Sequence, residues 1–121
     1  MTHHMNLNPQ PFSMIAEGKK TIELRLWDEK RQQISVGDTL LFTNTAAPSA
    51  SLQCKVKKLH IFANFNELYN TLPLEQCGYL PAELETAAPE DMEAYYSKEQ
   101  QEKYGVVGIE IEDIFPFPSA D

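Results

Sequence analysis

The sequence predicts an α+β domain, a curved β-barrel with short helices packed around it. Three observations carry that expectation. Segments with strand-like hydrophobic alternation lie toward both ends of the chain, at residues 20–26 and 106–111, with two more between them at 39–43 and 52–62. Helical spacing and helix punctuation are concentrated after the third of these segments. At 121 residues and 42% hydrophobic content the chain has the size of one domain and is too short for two well-buried cores. Strands first and last with helices inserted favour closing the sheet by pairing the final strand against early ones.

In chain order, Pro9-Gln10-Pro11 followed by Phe12 to Gly18 reads as a short helix, with prolines near its start and Gly18 placed to end it in the left-handed conformation. Lys20 to Leu26 then alternates. Ile22, Leu24 and Leu26 share one face, and Thr21, Glu23 and Arg25 the other. Trp27 to Ser35 is a polar, charged loop. Val36-Gly37-Asp38 turns into a strand over residues 39–43, and Asn44 to Ser51 is a loose hairpin connection. The strand over 52–62 loses its phase near Lys57-Lys58, where a bulge is expected. Asn64 to Leu72 reads as a short helix ending before Pro73, and residues 74–88 as irregular. Residues 90–96 and 97–104 are helical, the second with a Ser97–Gln100 capping box and a stop at Gly105. After the last strand, residues 115–121 are read as an unstructured tail, so that one domain spans 1–114.

Composition narrows the function classes. Net charge is −8, but residues 1–60 hold eight of the ten Lys and Arg against five acids, whereas residues 61–121 hold two against thirteen. That asymmetry suggests one basic surface on an acidic body. A chain this acidic is ill suited to tight binding of long duplexes, where phosphate neutralisation dominates, and better suited to a small, site-like ligand. No stretch approaches the roughly 20 apolar residues of a membrane helix, and no signal-peptide-like run opens the chain. Cys54 and Cys77 form no framework or metal-binding spacing, so free thiols and a reduced cytoplasmic setting are expected.

Chemistry concentrates in Gly18-Lys19-Lys20-Thr21-Ile22-Glu23-Leu24-Arg25. If the Glu23–Arg25 face looks outward, it is a solvated sheet surface. If it looks into a cleft, the carboxylate and guanidinium are partly buried and must pair with each other or with a ligand. Arg25 then grips phosphate bidentately, and Glu23 accepts from a base amino group or ribose hydroxyl. Trp27 follows as a core or stacking residue, and Lys30-Arg31 adds two cations, Arg31 at the rim. His3, His4 and His60 lack metal-ligand spacing. No metal site or cofactor is expected, and there is no phosphate loop, Gly-x-Ser-x-Gly elbow or dinucleotide fingerprint.

These residues resemble a known family. His4-Met5-Asn6-Leu7, Pro11-Phe12 and Ile15 to Leu26 look like the opening of an ASCH (activating signal cointegrator homology) domain. Asp28 to Gln32, Val36-Gly37-Asp38, Phe42-Thr43-Asn44, Phe65-Glu67-Leu68, and Tyr95-Tyr96-Ser97 to Ile109 continue the pattern. The resemblance implies a PUA-like barrel whose cleft holds RNA or a nucleotide through Lys20, Glu23, Arg25 and Arg31, with His4 lining the cleft through the matching His-Met segment. It also implies an alternative, because some ASCH-like proteins are hydrolases. One group deacetylates N4-acetylcytidine with a lysine, a threonine and a glutamate, and another is a metal-dependent ribonuclease. Lys20 matches that lysine, but Glu23 stands at the threonine position. An enzyme would therefore use Lys20 as catalytic amine or electrostatic stabiliser and Glu23 as general base on a modified nucleoside or RNA. A third reading is a protein adaptor docking through the acidic second half.

Overall fold

The computed structural model describes residues 1–116. Its elements are β1 (Thr2–Leu7), α1 (Pro9–Ala16), β2 (Ile22–Leu26), β3 (Thr39–Asn44), β4 (Ala47–Phe62), α2 (Phe65–Thr71), α3 (Lys98–Tyr104) and β5 (Val106–Pro116), with short 3-10 turns at Arg31–Gln33, Pro81–Glu83 and Pro89–Ala94. The strands form one mixed sheet in the order β1-β3-β4-β5-β2. All four expected strand segments belong to it, and the final strand pairs with both β4 and β2. The sheet curls into a half-barrel. Its two edge strands, β1 and β2, share no backbone ladder, which leaves an open seam where a closed barrel would have a fifth pairing.

The curl creates a core on each face. Phe42, Leu40, Val56, Val107 and Ile109 pack with Phe12 and Ile15 of α1 on one side. Ile22, Leu24, Leu26 and Val106 pack with Phe65, Leu68 and Leu72 around α2 on the other. Each such burial stabilises the fold by about 1.5–3 kcal/mol. Both faces of β2 are therefore covered, and Glu23, which alternates away from Ile22 and Leu24, is buried as they are.

Several local expectations hold. Gly18 (φ 77°) and Gly105 (φ 72°) are left-handed after α1 and α3, Ser97 and Gln100 cap each other reciprocally, and the β4 register shifts between Val56 and Lys58. Cys54 and Cys77 are both buried and unbonded. Others need correction. The loose connection at 44–51 is instead a tight turn at Thr45-Ala46, secured by the Asn44 side chain accepting from Ala46 N–H at 2.9 Å, and β4 starts at Ala47. Strand β5 runs on so that Phe115 and Pro116 of the expected tail pair with Gln53 and Leu52; residues 117–121 lie outside the described residues. Strand β1 was not anticipated. It pairs in parallel with β3, from Thr2 opposite Thr39 to Leu7 opposite Asn44. Among the described residues no helix is long and apolar enough to cross a membrane.

Candidate functional site: a cleft along the open seam

Helix α1 ends at a point that determines where Lys20 goes. The Lys19 and Lys20 N–H groups both donate to Met14 O, and Thr21 and Ile22 N–H both donate to Gln76 O. The first clamp turns the chain back beneath α1, and the second ties the head of β2 to the 76–78 turn. Lys20 thus precedes the strand proper and swings its side chain toward Glu23. Gly78 (φ 108°) lies against the lysine stem so closely that a Cβ there would come within 3.1 Å of Lys20 Cδ.

Glu23 then receives two cations. Lys20 Nζ lies 2.8 Å from Glu23 Oε1, and Arg25 Nε donates to Glu23 Oε2 at 2.7 Å. The three side chains are only 11%, 14% and 6% exposed for Lys20, Arg25 and Glu23. Burial by itself pushes the Glu23 carboxyl up, but the charges and hydrogen bonds of Lys20 and Arg25 outweigh it and hold the group below the usual carboxylate range. Burial likewise opposes the charge on Arg25, and Glu23, joined by Tyr96 and Asp28, more than restores it. The cluster is a buried ionised triad with net charge +1.

The triad forms the floor of a cleft of about 420 Å³ along the free edge of β2. Asn6 to Asn8 and the start of α1 form one wall, and Tyr69, Tyr79, Tyr95 and Tyr96 with Met92 the other. The tyrosine wall is braced from within. Tyr79 donates its hydroxyl to Asp91 Oδ2 at 2.7 Å, which leaves Tyr69 to donate to the Tyr79 oxygen at 2.6 Å. Burial raises the Tyr69 hydroxyl to about 12, so this chain of bonds stays protonated at neutral pH. Tyr96 stacks on Phe65, with its ring plane 16° from parallel, while Tyr95 is 66% exposed at the mouth.

The donor inventory shows what the cleft can hold. The Lys20 ammonium has three N–H groups and one carboxylate partner. Arg25 has five; Nε is bound to Glu23, Nη2 donates to Asn6 O at 2.8 Å, and Nη1 makes no hydrogen bond among the described residues and is not sealed from solvent. The floor is thus rich in spare donors, whereas Glu83 and Asp91 add acceptors to the lining.

Of the six residues anticipated from the sequence, Lys20, Glu23 and Arg25 meet at the cleft. Arg31, Trp27 and His4 are not in its lining. Arg31 turns to Asp28, its Nη1 3.0 Å from Oδ2, and its Nε is buried without a partner among the described residues. Trp27 packs against the core. His4 has an exposed side chain on β1, two residues before Asn6. The basic surface is also weaker than the charge asymmetry suggested, because Lys55 and Lys58 stand opposite Glu112 and Glu110 across the β4–β5 ladder. Tyr69, Tyr79 and Asp91 carry no signal in the sequence, whereas Tyr95 and Tyr96 stand out as an aromatic pair suited to packing or to stacking on a base. Among the described residues no group of three His, Cys, Asp or Glu is arranged to hold a metal ion.

Comparison with known proteins places this architecture. A family model for the ASCH domain matches residues 5–115. The crystal structure of the hypothetical protein PH0355 is 34% identical, with 93% of this chain and 98% of that one covered and a TM-score of 0.75. The solution NMR structure of Protein PF0455 from Pyrococcus furiosus is 33% identical over 98% of this chain and 99% of that one, with a TM-score of 0.67. A mutant of the ASCH protein from Zymomonas mobilis is 12% identical and shares the fold, with a TM-score of 0.69 over 99% of this chain and 73% of that one. No curated protein matches the chain. The matched span and the two relatives a third identical along their lengths show that this chain belongs to the ASCH domain family, and its curled α+β sheet is PUA-like.

Proposed function

We propose that the cleft binds single-stranded RNA or a nucleotide, in the cytoplasm, with Lys20 and Arg25 donating to acceptor atoms of the ligand and the tyrosine wall supporting a base. The observation that carries this reading is the excess of donors over acceptors in a nearly buried, net-positive triad that opens into an aromatic-walled cleft. Carbonyl and phosphate oxygens are the acceptors that RNA supplies, and stacking on tyrosine suits any base. The two free thiols fit a reducing compartment. Glu23 acts here as the group that positions both cations. Its two oxygens are engaged and its basicity is held down, which weighs against Glu23 as the general base of a hydrolase on a modified nucleoside or RNA.

The test is titration of short single-stranded RNA and of ribonucleoside monophosphates into the protein and its Arg25→Ala variant, with folding of the variant checked by circular dichroism. Loss of a charge-assisted donor should weaken binding by about 1–3 kcal/mol. Equal affinity of the two proteins for every ligand tested would end the case for this cleft. The same mixtures, together with N4-acetylcytidine, are assayed for product; turnover abolished by Glu23→Gln would move the assignment to a hydrolase.

A further inference from the structure

The seam between β1 and β2 is bridged by cations. Along β1 the carbonyls of Met1 and Leu7 accept from Thr39 and Thr45 beside β3, so the alternate carbonyls of His4 and Asn6 face the seam. Both are occupied. Lys30 Nζ donates to His4 O at 3.1 Å, and Arg25 Nη2 donates to Asn6 O at 2.8 Å. Two residues of strand separate these carbonyls by about 7 Å. The exposed side chains of His4 and Asn6 alternate to the same face, and Asn6 already lines the cleft. A continuous polar track therefore leads from Arg25 in the cleft to His4 and Lys30.

Resting on the RNA-binding reading, we propose that this seam carries the sugar-phosphate backbone of the bound single strand out of the cleft, with Lys30 contacting the phosphate next to the one nearest Arg25. Charge favours that occupant. Lys19, Lys20, Arg25 and Arg31 each have a carboxylate partner, whereas Lys30 has none among the described residues. Lys55 and Lys58 also lack ion pairs there, but they stand opposite β5 acids. Lys30 is thus the uncompensated cation beside the cleft, exposed and bound only to a carbonyl it can leave. The competing occupant is an extended peptide adding a strand. It is disfavoured because the outward Asn6 carbonyl that would enter its ladder is already held by the largely buried Arg25.

The experiment compares wild type, Lys30→Gln and Lys58→Gln for binding the four ribonucleoside monophosphates and the matching homotrinucleotides across a range of salt concentrations. In wild type the trinucleotide binds more tightly than its monophosphate. Lys30→Gln should lower that ratio about 1.5- to fivefold, as for an exposed charge pair. It should also flatten the dependence of log affinity on log salt for the trinucleotide by about 0.7. Lys58→Gln should change neither quantity. The proposal is overturned if Lys30→Gln matches wild type in both, if Lys58→Gln has the same effect, or if the trinucleotide has no advantage over a monophosphate that does bind. Failure of every monophosphate and trinucleotide to bind would instead defeat the RNA reading of the cleft, and the seam with it. An extended peptide that displaces the trinucleotide would assign the seam to strand addition.

Discussion

Two carboxylates on neighbouring strands are each held by two basic groups, and they do different things. Glu23 on β2 has Lys20 at 2.8 Å and Arg25 at 2.7 Å, and its side chain is 6% exposed. Glu110 on β5 has His60 at 2.8 Å and Lys57 at 3.6 Å, and its side chain is 23% exposed. The His60 hydrogen bond is the main reason that Glu110 also titrates below the usual carboxylate range. Water reaches the second cluster and screens it, so either member can be lost at little cost. The first cluster has exchanged its water for its neighbours, so each member depends on the others to remain charged. The same pairing chemistry is a surface tie in one place and a preorganised donor floor in the other. Burial makes the difference.

The comparison can be broken by removing each acid. Glu23→Ala leaves two buried cations facing each other and should destabilise the fold by about 3–5 kcal/mol in urea unfolding, the cost of breaking a buried ion pair. A loss no larger than that at Glu110 would show that water enters the triad freely. Gly78→Ala should cost about 1–3 kcal/mol, because it forces a side chain into a left-handed backbone and against the Lys20 stem; it should also weaken RNA binding by displacing Lys20 from Glu23. Glu110→Ala should cost only about 0.2–1 kcal/mol, and less at high salt.

Titration sharpens the comparison with the smallest perturbation. The folded value of Glu23 lies below its unfolded one, so its contribution to stability is present above the ordinary glutamate range and is lost as pH falls through the folded value. Carboxyl carbon shifts should place its midpoint below the ordinary glutamate range. Asp38 is held at about 2 by hydrogen bonds from His3 and Ser35 N–H, so its ties to β1 and the Val36–Asp38 turn should survive to lower pH than unperturbed carboxylates. A Glu23 midpoint in the ordinary range would separate the triad seen here from the protein in solution.

Much of this was legible in the chain because it is local. Alternation at Ile22-Leu24-Leu26 located a strand and placed Glu23 with Arg25, and Ser97, Gln100 and Gly105 marked a helix from start to stop through hydrogen bonds only a few residues long. Strand β1 was missed because His3-His4-Met5-Asn6-Leu7 has little intrinsic strand signal. It becomes a strand only beside β3, where His3 gains Asp38 at 2.8 Å and Met5 and Leu7 gain the core. Arg31 was misplaced for a related reason. Sequence adjacency put it near Arg25, but the Asp28 side chain, accepting from both the Arg31 backbone N–H and its guanidinium, turned it back into its own loop.

By itself the sequence located four of the five strands, the helix ends and the Glu23–Arg25 pair, since residue periodicity and short-range hydrogen bonds decide which side chains share a strand face and where helices end. Only the tertiary structure decided that this face is buried, that its opposite wall is built of Tyr69, Tyr79, Tyr95 and Tyr96, and that the sheet stays open between β1 and β2 with Arg25 and Lys30 across the gap. Those outcomes depend on contacts between segments far apart in the chain, and sheet curvature and long-range packing, which no local pattern encodes, bring the segments together.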